Sequence, residues 1–384
     1  MSRGLHPDTA QKIRASIIVI IPLVATLLAI VLLWGSYVFT RDIVILIVMN
    51  FFTSIGVTVG YHRLLTHEGF HCPDWFRAIL VTLGCMAWEG TPLQWASTHV
   101  KHHAHSDEEE DPHTPLHGFW HAHMGWLYQR KNFPDPQVYV PHLVSDPVIR
   151  WVDQWALLWM AIALLIPYLA GGWTGLLWGG FVRIFLTTHV TWSVNSVCHT
   201  FGKRAFETTD ESRNHWVIGL LGFGEGWHNN HHAFPRSAFH GLHWWQFDLS
   251  GLLIRLWERT GLVWDVQRVA PEILALQRAQ LRSTRESLVM MRSQIATAVM
   301  NADVELQRIF SASVDRTLSD GDRARLSSVH HSARQRLSAI RDSVSQRTHV
   351  KKAKLLVHAR EVHDVVLHAK QQAAALLRSK GLAA

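Results

Sequence analysis

Histidine is crowded into three short stretches of this chain: 62-HRLLTH-67, 99-HVKHH-103 and 228-HNNHH-232. In the second and third the spacing is i, i+3, i+4, positions that share one face of a helix. Three neutral imidazoles on one face can aim their nitrogens at a common point, which suits a transition metal. His62 and His67 are five apart and share no face of a regular helix. They follow an oily run, so a helix terminus is expected there. His199 closes another oily run in 195-NSVCH-199, and Asn195, one turn earlier, could hold a metal-bound water. The candidates are therefore His62, His67, His99, His102, His103, His199, His228, His231 and His232. One metal accepts ~4–6 such ligands, so this number implies two metals. Structural zinc would favour thiolates, and the three cysteines, Cys72, Cys85 and Cys198, show no CxxC spacing. Redox-active iron with open positions for oxygen is the better chemical match. Soluble di-iron bundles use Glu-x-x-His pairs. Glu68–His71 and Glu225–His228 have that spacing but sit beside glycine or proline, outside any good helix.

Four apolar runs must position these residues: 15–34, 43–62, 154–173 and 175–199, the last interrupted by Arg183 and His189. A membrane-spanning helix needs ~20 mainly apolar residues, and Trp at the ends of the runs matches the aromatic belts of bilayer interfaces. The first run is too long for the core of a signal peptide, and no small-residue cleavage site follows it. Arg3, Lys12 and Arg14 outweigh Asp8 before the first run, only Arg41 and Asp42 lie between the first two, and 171–174 is uncharged. The positive-inside rule then places the N-terminus, the 63–150 loop and everything after His199 in the cytoplasm, with all three clusters on one membrane face.

The expected fold is all-α. Four transmembrane helices, at about 15–34, 43–61, 154–172 and 175–197, carry a cytoplasmic helical cap that holds the two metals. They form a body, 1–265, followed by an amphipathic helical tail, 266–384. The chain's net charge of +7 divides into about −3 in the body and about +10 in the tail. Apolar residues recur every three or four positions over 273–300 and 353–377, and 318-LSDGDRA-324 reads as a turn. The tail is thus a helical hairpin packed on itself, or a basic surface for anionic headgroups or an acidic electron carrier. Its histidines, among them His330, His331 and His358, lack the clustered spacing and are assigned no chemistry.

With its surroundings 111-DPHTP-115, 123-HMGWLYQRK-131, 191-TWSVNSVCH-199 and 224-GEGWHNNHHAFP-235, the chain resembles the integral-membrane fatty acyl desaturases of the stearoyl-CoA (delta-9) desaturase family. It looks like a bacterial-type member with a C-terminal helical extension. The likeness runs from about residue 15 to about residue 268. It implies two irons and a buried kinked tunnel for the acyl chain. It also implies metal ligation by the nine histidines, with Asn195 acting through water. Arg130 and Lys131 fall on a basic pair that lies near the CoA phosphates in acyl-CoA members. Animal acyl-CoA members carry Arg-Asp just before the second histidine box; here Ser97 and Thr98 stand there, which leaves the acyl carrier open between a thioester and a lipid.

The resemblance implies an enzyme that uses O2 and two external electrons to place a cis double bond, at delta-9 as the family does. It removes two hydrogens from adjacent unactivated methylenes, which no acid or base can do, so the metals must carry the step. The acidic run 107-DEEED-111 is the obvious source of carboxylates to orient imidazoles, with its three Glu on a solvated face. No haem motif or dinucleotide loop is present, so a ferredoxin or cytochrome b5 type donor is expected as a separate partner. No nucleic-acid partner is expected. The alternatives are a membrane di-iron hydroxylase of fatty acids or alkyl chains and a non-enzymatic histidine-rich metal-binding membrane protein.

Overall fold

A computed structural model describes residues 6–34, 38–313, 318–345 and 352–378. Among these residues there is no β-strand, and the chain divides into two compact units, 1–278 and 279–384.

In the first unit, α1 (Pro7–Trp34) turns Ile20, Val24, Leu27 and Val31 outward, an apolar face suited to lipid rather than water. Its inner face sets Ala15 and Val19 against Trp126, Leu127 and Trp192. α2 (Thr40–Ile55) continues without a break into a wide-turn, π-helical segment, Gly56–Thr66. This stretch lies so close to α3 (Asp74–Cys85) that a Cβ on Gly56 would come within 2.2 Å of Gly84 N. α4 (Pro92–His105) starts where a helix should: the Thr91 side chain accepts from Gln94 N, and Pro92 fills the first turn, where no N–H is needed.

Four short helices lie between α4 and the third apolar stretch: α5 (Phe119–His123), α6 (Pro136–Tyr139), α7 (Pro141–Ser145) and α8 (Pro147–Gln154). Proline opens the last three, and Asp135 and Asp146 cap α6 and α8. α9 (Ala156–Gly175), a second π-helical segment (Leu176–Val182) and α10 (Arg183–Thr200) follow in direct succession. The expected helices at 154–172 and 175–197 thus meet with almost no loop. The break is at Gly172, whose φ of +66° and ψ of −148° only glycine adopts at ease. Beyond it the chain packs back on α9, and a Cβ on Gly179 would stand 3.0 Å from Pro167 Cβ. Among the described residues, three stretches are long and apolar enough to cross a membrane: Pro7–Leu33, Thr40–Thr66 and Ala156–Thr200. α11 (Trp216–Leu221), α12 (His228–Ala233) and α13 (Leu249–Arg259) follow α10. Isolated bridges, His71 with Trp264 and Asn214 with both Lys203 and Trp227, tie the connecting loops together.

The second unit holds most of α14 (Pro271–Ser313), with α15 (Asp320–Ser345) and α16 (Lys352–Arg378). Among the described residues it has three helices, one more than a hairpin. Its core is aliphatic: Leu306, Leu326 and Leu337 are at most 2% exposed, amid Ile295, Val299, Ile340 and Val365. The expected turn at 318–324 is narrower in the described residues, because α15 already begins at Asp320. Ser319 Oγ accepts from Asp322 N there, at 3.3 Å.

Candidate metal centre

The π-helical segment Gly56–Thr66 explains a spacing that a regular helix could not. His67 N donates to His62 O, five residues back, at 3.1 Å, and Thr66 Oγ1 donates to Tyr61 O at 2.7 Å. Five residues per bond puts His62 and His67 on one face, with ring centroids 4.9 Å apart. α4 brings His99, His102 and His103, and the last turn of α10 brings His199. α12 is only six residues long, so its own hydrogen bonds cannot fix it. The two buried asparagines of HNNHH do so. Asn229 Oδ1 accepts from Ala205 N and Phe206 N, and Asn230 Nδ2 donates to His240 O and Gln246 Oε1.

The nine histidines gather into two groups whose ligand atoms lie within 4.8 Å of one another. His62, His67, His99, His103 and His231 form one; His102, His199, His228 and His232 form the other. In the first, Nε2 faces Nε2 at 3.1 Å between His67 and His99, and at 2.9 Å between His231 and His103. In the second, His228 and His199 meet the same way at 2.9 Å. Four of the rings use their other nitrogen on a carboxylate. His62 Nδ1 meets Glu225, His102 meets Asp111 at 3.0 Å, His199 meets Asp107 at 3.0 Å, and His232 meets Asp210 at 2.7 Å.

Burial alone would raise the carboxyls of Asp107, Asp111 and Asp210. Their histidine partners outweigh it and hold all three below the usual carboxylate range. Ionised carboxylates accept, so the Nδ1 atoms donate and the Nε2 atoms turn bare lone pairs inward. Burial first and neighbouring imidazoles second hold His99, His103, His228 and His231 far below the ordinary imidazole value. Buried His102 Nε2 and His232 Nε2 have no hydrogen-bond partner. Neutral rings with converging lone pairs are repulsive unless a cation sits between them. Nitrogens at ~2.1 Å from one ion stand roughly 3 Å apart, which is the spacing seen. Both groups therefore fit a metal ion.

The surrounding network was only partly visible in the sequence. Asp107 and Asp111 come from the acidic run, and Glu108, Glu109 and Glu110 between them are exposed. Glu225 does not pair with His228, three residues on; it reaches His62 and the buried guanidinium of Arg63. Arg63 also donates to Asp248 and to Ala238 O, at 3.1 and 3.0 Å. Asp210, His113 and His240 were not singled out as site residues. The His113 ring lies tilted against His102 with centroids 4.2 Å apart, and the His240 ring lies tilted against His231 with centroids 4.5 Å apart. No spacing rule reaches them, because long loops bring them in.

Beside the two groups lies a cavity. It runs from Ser54 and Thr187, along Val57, Val190 and Val194, to His62, His99 and His228; Asn195 is on its wall. Trp95 and Thr191 also line it, and Glu89 ties them together from behind. Trp95 Nε1 and Thr191 Oγ1 donate to its two oxygens at 3.3 and 2.6 Å. Arg130 and Lys131 sit exposed on a 3-10 turn and do not line the cavity. Ser97 and Thr98 turn their hydroxyls onto Gln94 O.

The arrangement, metal-type imidazole groups at the end of a narrow apolar cavity, is that of a membrane enzyme oxidising a chain-like substrate. The family model for fatty acid desaturases matches residues 43–251. A hex-5-enoyl-[acyl-carrier protein] acetylenase of Moorena producens (strain JHB) is 40% identical over 269 residues, 65% of this chain and 84% of that protein. An sn-1 stearoyl-lipid 9-desaturase of Anabaena variabilis is 43% identical over 216 residues, 56% of this chain and 79% of that protein. An sn-2 palmitoyl-lipid 9-desaturase of Nostoc sp. (strain 36) is 39% identical, covering 58% of this chain and 79% of that protein. The chain belongs to the fatty acid desaturase family. It is a membrane-associated fatty acyl desaturase, an oxidoreductase that acts on acyl chains with O2.

Proposed function

We propose that the two imidazole groups hold two iron ions and that the enzyme introduces a cis double bond, at the delta-9 position, into a saturated acyl chain. The ligands are His62, His67, His99, His103 and His231 for one ion and His102, His199, His228 and His232 for the other, with Asn195 acting through a water. The observation that carries this reading is the set of bare, converging Nε2 atoms beside a narrow apolar cavity. Iron supplies the oxidising power to take hydrogens from unactivated methylenes, which no side chain can do. This chain's residues do the rest. Val57, Val190 and Val194 keep water off the substrate, and the cavity's depth selects which two carbons lie beside the imidazoles. Glu225, Asp107, Asp111 and Asp210 hold the rings in aim. Overall, one acyl chain, O2, two electrons and two protons give one alkene and two waters. The electrons come from a separate ferredoxin or cytochrome b5 type protein.

Four membrane spans, 15–34, 43–61, 154–172 and 175–197, fit this reading. Ala156–Thr200 has 45 residues; straight, it would extend roughly 67 Å, about twice the hydrocarbon core, and the break at Gly172 lets it cross twice. Loop charges favour a cytoplasmic N-terminus, metal centre and C-terminus, with a body of 1–265 and a basic extension of 266–384. The names of the Anabaena and Nostoc relatives support the delta-9 position. Expression in a host lacking unsaturated fatty acids, followed by double-bond mapping of its lipids, tests the reading. Delta-9 cis products are expected; unchanged lipids, or products sixteen mass units heavier, would overturn it.

A further inference from the structure

The acyl cavity is not closed on all sides. Its lining residue Leu221 is 53% exposed, at the end of α11, where Trp216 and Leu220 are also 68% and 50% exposed. This lip sits beside the membrane-type helices, not above them. A Cβ on Gly222 would touch Val190 Cγ1 at 3.4 Å, and Val190 is nine residues below His199 on α10, a drop of roughly 13 Å. Ile218 packs with Val194 and Cys198, and the Phe223 ring stands 6.0 Å from Phe51, eleven residues before His62 on α2.

A second apolar segment is fastened next to the lip. Buried Trp227 lies against Gly219 of α11, donates from Nε1 to Phe247 O at 2.8 Å, and meets the Trp245 ring edge-on at 5.6 Å. Trp244 is 96% exposed, and Trp245 and Phe247 also face outward. α13, joined to the lip by Ser250 N donating to Phe223 O, exposes Leu252 and Leu256 beside Arg255 and Arg259. Contiguous aromatic and aliphatic surface of this kind is costly in water. It fits the boundary between hydrocarbon and headgroups, where tryptophan is enriched and arginine meets phosphate.

The cavity wall, by contrast, carries no Lys or Arg. A coenzyme thioester brings several phosphates that such a wall cannot answer, whereas a chain esterified to a glycerolipid needs only a slot open to the bilayer.

We propose that the cavity opens sideways into the membrane at Leu221, and that the enzyme takes its chain from a glycerolipid of the surrounding bilayer rather than from a soluble thioester. This rests on the desaturase reading above. The full-length, iron-loaded protein in nanodiscs, supplied with O2 and reduced ferredoxin, would be offered isotope-labelled stearate in three forms: esterified in nanodisc phosphatidylglycerol, as stearoyl-CoA, and as stearoyl-acyl carrier protein. Labelled product is expected in the lipid, with thioester turnover lower by on the order of tenfold or more. Leu221→Glu should cut lipid turnover by a similar factor at unchanged iron content. A phosphatidylglycerol with a diazirine midway along its acyl chain should label 216–223 of the unmutated protein, a readout that does not depend on the variant folding. Turnover of thioesters alone, or labelling confined to other segments, would overturn the lateral mouth. No product from any carrier would instead overturn the desaturase reading itself.

Discussion

The interior around the two imidazole groups and the interior of the C-terminal unit follow opposite rules. The first buries Arg63, Glu225, Asp248, Asp111 and a crowd of histidines, each needing a specific partner. The second buries Leu306, Leu326, Leu337, Val299 and Val365, which need only neighbours of suitable size. A polar interior is costly to assemble and fails when one partner is removed, because the group left behind is desolvated and unpaired. An aliphatic interior loses stability in proportion to the volume removed. The body has placed its chemistry inside itself, whereas the interior of the C-terminal unit holds its helices together by packing alone.

The sharpest break of this contrast is His231→Ala. His231 Nε2 faces both His62 and His103, so its loss should empty the five-histidine group of iron and abolish turnover, read by metal analysis and product mass spectrometry. Glu225→Gln comes next. It removes the anion shared by His62 and Arg63 and should weaken iron binding roughly 10–100-fold, while the broken buried ion pair costs about 3–5 kcal/mol. Leu306→Ala in the full chain should cost about 2–5 kcal/mol, seen as earlier melting of part of the helical signal, with iron content unchanged. If iron fell in step, the two interiors would not be independent.

The smallest effect belongs to Glu89, whose carboxyl burial raises to about 7. The folded state favours the neutral acid, so the stabilisation is complete below the ordinary carboxylate value and is lost as pH rises through about 7. Melting temperature should therefore decline between about pH 4.5 and 7, and Glu89→Gln, which cannot ionise, should flatten that decline. An identical slope in both proteins would place the titration elsewhere.

Which parts of the centre were legible follows from how each residue is placed. The i, i+3, i+4 boxes on α4 and α12 could be read because helix geometry alone brings those rings together. His62 and His67 could not be read geometrically, since their shared face depends on a π-helical turn with no residue signature of its own. Glu225 was weighed as a helical partner of His228; only the path of the loop shows it turned to His62. Asp210 and His240 arrive through long-range folding that no local pattern encodes. The apolar runs fixed the helices but not the absence of a loop at Gly172, and amphipathic periodicity in the C-terminal region could not count its helices.

The central claim is that two groups of imidazoles, aimed by carboxylates, each hold an iron. Iron-edge X-ray absorption on the purified full-length protein, combined with metal analysis, tests it most directly. About two irons per chain, surrounded mainly by nitrogen at ~2.1 Å, are predicted. One iron or none per chain, or a surrounding dominated by sulfur, would contradict it.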